Sequence, residues 1–384
     1  MTLKDLLDIN LTKPAICLIF LALLFSCREK NASSPVLEID LVKIDSFVVQ
    51  RDTRFRILDH EAASGNYLGY DPITKSFLII DRQGKIVQEV SRIGEGPNEY
   101  NSNLSTAAFN KVGGGVFLQS PNELLWYDEN WDIKKRWKYA PNFGVTVYSG
   151  PRFTTSYYFK EDKESPLVFT AFFPGIKIPF AEILSISRNG GIVEVFESSK
   201  DSLAWKLPID FGLHSPHSPT DKEFDLAQVN YLDTENKVLL LTFDNSLVVG
   251  VHDMNADFEL VRKFTLPKDD LVDKGRGKTV KLFPAFDQGL LLLRYSGMSE
   301  LELARRKEAN STYSPVQDAQ LYRFYYLNKD KSVFKELPFP DGIEPNSELI
   351  MLGSGKILMR EKDREDAEMN HSSYSIYEIR MKEM

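Results

Sequence analysis

Residues 76–90 read SFLIIDRQGKIVQEV. Phe77 to Ile80 is an unbroken apolar run suited to a buried strand, Arg82-Gln83-Gly84 turns the chain, and Ile86 to Val90 alternates outward. An apolar run, a glycine turn and a period of two together predict a β-hairpin. The same signal recurs along the chain, in residues 114–137, 181–196, 236–253, 288–297, 319–337 and 355–381. Asn189-Gly190 marks one of these turns, since both residues tolerate positive φ. Sustained helical periodicity is almost absent.

About six such units of roughly 50 to 60 residues each match the spacing of propeller blades built from four strands. A β-sandwich, a long β-helix and two separate β domains are the alternatives. A parallel β-helix would repeat on a shorter and stricter period, and no Pro/Gly/Ser-rich linker divides residues 40–384. The expected fold is therefore all-β, a six-bladed β-propeller. An N-terminal strand joining the last blade is expected to close the ring, because unpaired sheet edges are a liability. Residues 36–50 (VLEIDLVKIDSFVVQ) have no hairpin partner nearby, and the last unit, from Glu348, reads one strand short.

The first 27 residues read as an address. Lys4 and Lys13 flank the apolar run Ala15 to Phe25, and Ser26 precedes Cys27. A basic flank, a short apolar segment and a small residue describe a secretory signal. A membrane span needs about 20 apolar residues, more than this run supplies. The ending Leu24-Phe25-Ser26-Cys27 resembles the bacterial lipobox, where cleavage leaves a lipid-modified cysteine. Cys27 is thus the expected lipidation site, with 1–26 as signal peptide, 27–35 as tether and 36–384 as the propeller domain. Cys17 leaves with the signal, so no disulfide framework remains. The net charge of −8 argues against nucleic acid as a partner.

Following the first hairpin, residues 91–100 read SRIGEGPNEY. With the lipobox and the loose blades, the stretch Gly94-Glu95-Gly96-Pro97-Asn98-Glu99-Tyr100 resembles the six-bladed β-propeller lipoproteins of Gram-negative envelopes. These belong to the TolB-like and NHL-like superfamily, many members of which carry G-x-GP-x-EY after an early blade. The resemblance implies a fold and a cell-envelope, membrane-anchored address rather than an activity.

As chemistry, this stretch is not a dinucleotide loop, because Glu99 stands where a third glycine is needed, and it lacks the Lys-Ser/Thr of a P-loop. Two readings stay open. In one it is a crossover between blades, with glycines at positive φ and Tyr100 anchored under the next blade. In the other, Arg92, Asn98 and Glu99 face a central opening and contact a ligand. Elsewhere, His214 and His217 lie in a Pro-rich loop and make an incomplete zinc set. Asp128, Asn130 and Asp132 imitate an EF-hand start, but Ile133 replaces its glycine and Tyr139 its final glutamate, leaving a hairpin turn. Asp233, Asp244 and Asp287 read either as turn caps or as channel ligands for calcium. Ser299 and Glu302 have capping-box spacing and open a short helix inserted within a blade, over 299–311. No catalytic residue, resident cofactor or metal site is expected. The functional expectation is a lipid-anchored envelope propeller that binds a protein, peptide or glycan through loops on one face, touching the membrane only through its lipid. The alternative is a metal-dependent lactonase- or esterase-like hydrolase, with calcium in the central channel.

Overall fold

Ser76–Ile80 and Ile86–Val90 form the antiparallel hairpin that their sequence predicts, with Phe77 opposite Val90. Asp81 holds the turn by accepting from the Gln83 and Lys85 N–H groups at 3.0 and 2.9 Å. Gly84 sits at φ +88°, and a Cβ there would strike the Val48 carbonyl and lie 2.9 Å from the Phe47 ring. Glycine is required twice here, by the left-handed backbone and by the strand passing over the turn.

The computed structural model describes residues 37–138 apart from 105, 112 and 121, then the backbone of seven short strands between 153 and 225. It continues over 228–383 apart from 234, 245, 268–276, 331–333, 354 and 364–369. Cys27, the tether, the Asn189-Gly190 turn and the His214/His217 loop lie outside the described residues. Residues 39–380 form one compact unit. Among the described residues no helix is long and apolar enough to cross a membrane.

The chain enters with β1 (Leu37–Gln50) and builds the first blade from β2 (Arg56–Glu61), β3 (Asn66–Asp71), β4 (Ser76–Ile80) and β5 (Ile86–Val90). The second blade is β6 (Thr106–Phe109), β7 (Val116–Ser120), β8 (Glu123–Tyr127) and β9 (Ile133–Lys138). β10 (Phe153–Thr154) adds to it in parallel beside β6. Short strands follow: β11 (Tyr157–Phe159), β12 (Leu167–Ala171), β13 (Lys177–Pro179), β14 (Glu194–Glu197), β15 (Ser202–Trp205) and β16 (Glu223–Asp225). The third blade is β17 (Gln228–Asp233), β18 (Val238–Phe243), β19 (Val248–Asp253) and β20 (Glu259–Thr265). The fourth is β21 (Lys278–Ala285), β22 (Gly289–Tyr295), β23 (Tyr322–Leu327) and β24 (Phe334–Pro338). The fifth holds β25 (Leu349–Met351), β26 (Lys356–Arg360) and β27 (His371–Glu383), with β1 beside β27.

The six-bladed expectation is corrected by these ladders: among the described residues the propeller has five blades. Between 153 and 225, β11 pairs only with Leu167–Phe169 of β12, whereas β14 pairs only with Thr170 and Ala171. Among the described residues β11, β12, β14 and β15 are thus linked end to end along β12, whose first three residues pair with one neighbour and last two with the other. β10 is drawn away to the second blade, and β13 pairs with β16 alone. A six-membered ring closed by an N-terminal strand is thus not what the chain builds. The pairing of β1 with β27 joins two distant stretches of chain in one sheet, and it supplies no sixth blade.

Burial follows the architecture. β4, β7, β18 and β22 are buried along nearly their whole length, because blades stack face to face. The outer strand β5 alternates toward solvent, and β24 fully buries Leu337 alone. First strands meet first strands, β2 against β6 and β25, and β17 against β21, so they form the inner rim. Between the first two blades, Tyr70, Phe77, Tyr100, Tyr127 and Trp131 pack with Leu68, Leu118 and Leu125. Phe47 and Val49 of β1 join Phe55, Tyr67, Leu358 and Tyr374 in another core. Fully burying one such aromatic is worth about 2 to 3 kcal/mol.

The expected inserted helix is present as α1 (Glu300–Ala309), between β22 and β23, with the Ser299 hydroxyl accepting from the Glu302 N–H at 3.2 Å. The Glu302 carboxylate turns instead to Arg305 and Arg306. Arg306 also binds Asp318 at 2.6 Å and the Tyr313 hydroxyl at 3.0 Å, which folds the insertion onto itself.

Candidate functional site

The stretch 91–100 is built as a corner. Tyr100 is buried against Phe77 and Tyr127, its hydroxyl donates to the Lys75 carbonyl at 3.1 Å, and burial raises its phenol above the ordinary value. Tyr100 N–H donates to the Arg92 carbonyl at 2.8 Å, closing the loop at its base. This is the anchoring role expected of Tyr100.

Arg92 and Asn98 both reach the turn that joins β8 to β9. Arg92 donates to the Trp131 carbonyl and lies 3.3 Å from Asp132. Asn98 donates to Asp132 at 2.9 Å and accepts from the Ile133 N–H at 3.2 Å. Asp128 organises that turn by accepting from the Asn130 and Asp132 N–H groups, the hairpin-turn role its sequence suggested. Arg92 and Asn98 thus clamp the end of the first blade to the second.

Glu99 points back into its own loop. Its carboxylate accepts from the Gly96 N–H at 2.7 Å, while its carbonyl accepts from Arg136 at 2.7 Å. Neither Gly94 nor Gly96 has positive φ, which corrects the backbone reason given for these glycines. The reason is room: a Cβ on Gly94 would overlap the Glu99 carboxylate, and one on Gly96 would lie 2.9 Å from it.

Other sequence candidates take structural places. Asp233 caps its turn by accepting from Glu235 and Asn236 N–H groups at 3.1 and 3.0 Å. His60 stacks beside Tyr67, and burial lowers its imidazole. His252 is buried, with Nδ1 3.0 Å from the Phe258 carbonyl. Among the described residues, no three His, Cys, Asp or Glu side chains converge as a metal set.

A different set of charges meets at the inner rim. Arg56 opens β2, Lys281 lies in β21 and Glu348 immediately precedes β25. Arg56 Nε lies 3.3 Å from the Glu348 carboxylate, and Lys281 and Arg360 are within electrostatic reach of it. Burial pushes the Glu348 carboxyl above its ordinary value, although its own backbone N–H and these three cations pull it down. Burial likewise lowers the Lys281 ammonium, against the opposing effect of Glu348. Beside them, Arg54 pairs with Glu344, and Arg360 lies 3.6 Å from Glu344 and 3.1 Å from Asp363. Sequence reading missed this set. Its one available signal was a charge inside short, otherwise apolar runs, as in KTVKLFPA.

No family model and no curated protein matches the chain. Among solved structures, a member of the DUF4221 family from Bacteroides vulgatus superposes with a TM-score of 0.63 at 11% identity, covering 89% of this chain and 99% of its own. The likeness is one of fold. A Bacteroides fragilis protein described as exported aligns with a TM-score of 0.47 at 12% identity, over 90% of this chain and 96% of its own.

Proposed function

We propose that this chain is a cell-envelope β-propeller that binds a protein, peptide or glycan ligand, held to the membrane by lipid on Cys27. The observation that supports binding is the charge set of Arg56, Lys281 and Glu348 on the inner rim. Charges half-buried among packed strands cost stability unless fully paired, and such departures from good packing concentrate at functional sites. The anchor rests on the apolar run ending in Leu24-Phe25-Ser26-Cys27. In this reading Arg92, Asn98 and Glu99 hold the first two blades in register, and ligand contact there would require them to exchange existing bonds.

The test is retention on immobilised peptide and glycan libraries by the mature domain at low salt. Saturable retention, lost on heat denaturation, is the expected result. If neither library retains the folded domain, the binding reading falls.

A further inference from the structure

Arg294, the next-to-last residue of β22, is only 5% exposed. Its Nη1 donates to the Thr279 hydroxyl at 3.0 Å and lies 3.5 Å from the carbonyl of Ser246, in the turn between β18 and β19 of the third blade. Among the described residues, no carboxylate stands within ion-pair distance of it, and no hydrogen bond engages Nε or Nη2. Two other blades show that the fold does not require this arrangement. In the second blade Thr106 and Gln119 are register partners, as Thr279 and Arg294 are in the fourth, and a 3.3 Å hydrogen bond joins them. A neutral amide suffices there. Arg360, also buried, ends the second strand of the fifth blade and donates to Asp363 at 3.1 and 3.3 Å. That guanidinium finds its carboxylate within the chain. A buried charge without such a partner is costly, and departures of this kind concentrate at functional sites.

The space beside the unused edge of Arg294 is open. A Cβ built on Gly277 would sit 3.6 Å from Nη2, and its other nearest neighbours would be the Tyr295 and Ser296 carbonyl oxygens at 3.4 and 3.5 Å. One unfilled point therefore has a guanidinium donor on one side and two acceptors on the other.

We infer that Arg294 seats the α-carboxylate of an amino-acid residue, with Nε and Nη2 donating to the carboxylate and the Tyr295 and Ser296 carbonyls accepting from the adjacent N–H. The inference rests on the binding reading above and names the chemistry of its ligand. Two parallel N–H donors match the two oxygens of a carboxylate. In a free amino acid or a peptide C-terminus, the N–H stands one carbon away from that group. In a sugar acid the same position is the ring oxygen, which has no hydrogen to donate and would face the two carbonyl oxygens. Capture of a C-terminal carboxylate is a recurring mode of peptide recognition.

The experiment is calorimetric titration of the mature domain at low ionic strength with N-acetylglycine, N-acetylglycinamide, N-acetylsarcosine, glycine and D-glucuronate. N-acetylglycine is expected to bind saturably, in a roughly millimolar range fitting a fragment, and its amide not at all. N-acetylsarcosine, which lacks the N–H, and glucuronate should bind several-fold more weakly. Glycine binding more tightly than N-acetylglycine makes free amino acids the source, and weaker binding makes it a peptide C-terminus; either result supports the seat. Arg294→Gln copies the Thr–Gln pair of the second blade, so it should fold and lose affinity by about ten-fold or more. Gly277→Ala is the discriminating variant. Gly277 has no positive φ and the methyl meets nothing closer than 3.4 Å, so the urea midpoint should stay at the wild-type value while binding is lost. A purely structural Arg294 would not produce that outcome. Equal binding of N-acetylglycine and its amide, N-acetylsarcosine or glucuronate, or unchanged affinity in Arg294→Gln, would overturn the assignment. If Arg294→Gln does not fold, unchanged affinity in Gly277→Ala overturns it. If library ligands are retained equally by wild type and Arg294→Gln, the binding reading stands and the carboxylate seat falls. If neither library nor N-acetylglycine binds wild type, both fall.

Discussion

Replacing Gly94 with alanine should displace a side chain five residues away. The added methyl would overlap the Glu99 carboxylate, whose Cδ would lie 2.6 Å from it, so Glu99 must swing out of the loop. That breaks its 2.7 Å bond from the Gly96 N–H. A hydrogen bond to a charged acceptor is worth about 1.5 to 3 kcal/mol, and partial exposure here places it near the lower end. Against this, Gly→Ala at a position without positive φ stabilises by about 0.4 to 1 kcal/mol through the unfolded chain. Gly94→Ala alone should therefore destabilise by about 0.5 to 1 kcal/mol, and Glu99→Ala by about 1.5 kcal/mol. With Glu99 already removed, Gly94→Ala should become neutral or stabilising, leaving a coupling energy of about 1 to 1.5 kcal/mol. Urea unfolding of the four proteins in this cycle measures it. Costs that add within about 0.5 kcal/mol would refute the steric account and return the question to backbone conformation.

Arg51→Met strips Asp71, whose side chain is fully buried, of its 2.7 Å ion pair, and should cost about 3 kcal/mol at neutral pH in urea unfolding. Burial pushes the Asp71 carboxyl up, but bonds from Thr53, Arg51 and the Thr74 and Ile73 N–H groups outweigh it and leave it low. Its contribution is present above the ordinary value of 3.8 and is lost as pH falls through the lower folded value, so the gap between variant and wild type should close in acid. Lys281→Met removes an ammonium that burial disfavours, so its gain relative to wild type should be largest at neutral pH. The folded Lys281 value is lowered, so the gain should shrink as pH rises toward the ordinary 10.5, and a gain independent of pH would contradict the burial argument. Cys27→Ala should move the protein from the membrane to the soluble envelope fraction, and intact mass should show acyl chains on the mature wild type only. A wild type without acyl chains would remove the lipid anchor from the proposal.

The sequence by itself determined the elements whose signals lie within one hairpin or one helical turn. SFLIIDRQGKIVQEV specifies β4, the Gly84 turn and β5, because apolar alternation and a left-handed glycine act between close neighbours. Ser299 specifies the start of α1 for the same reason. Tyr100 was legible as an anchor, being an aromatic that ends a turn-rich stretch. The blade number was not legible. The strands between 153 and 225 have strand-like composition, and only their ladders show β11 and β14 pairing with different described residues of β12. The purpose of Gly94 also needed tertiary structure, since its neighbour is a folded-back carboxylate rather than a strained backbone. The rim set shows the limit most plainly. Arg56, Lys281 and Glu348 are far apart in sequence, and each alone reads as a solvated charge near a strand end. Folding brings Arg56 to 3.3 Å from Glu348 and Lys281 within electrostatic reach of it, and burial then gives these charges an energetic cost that no local pattern encodes.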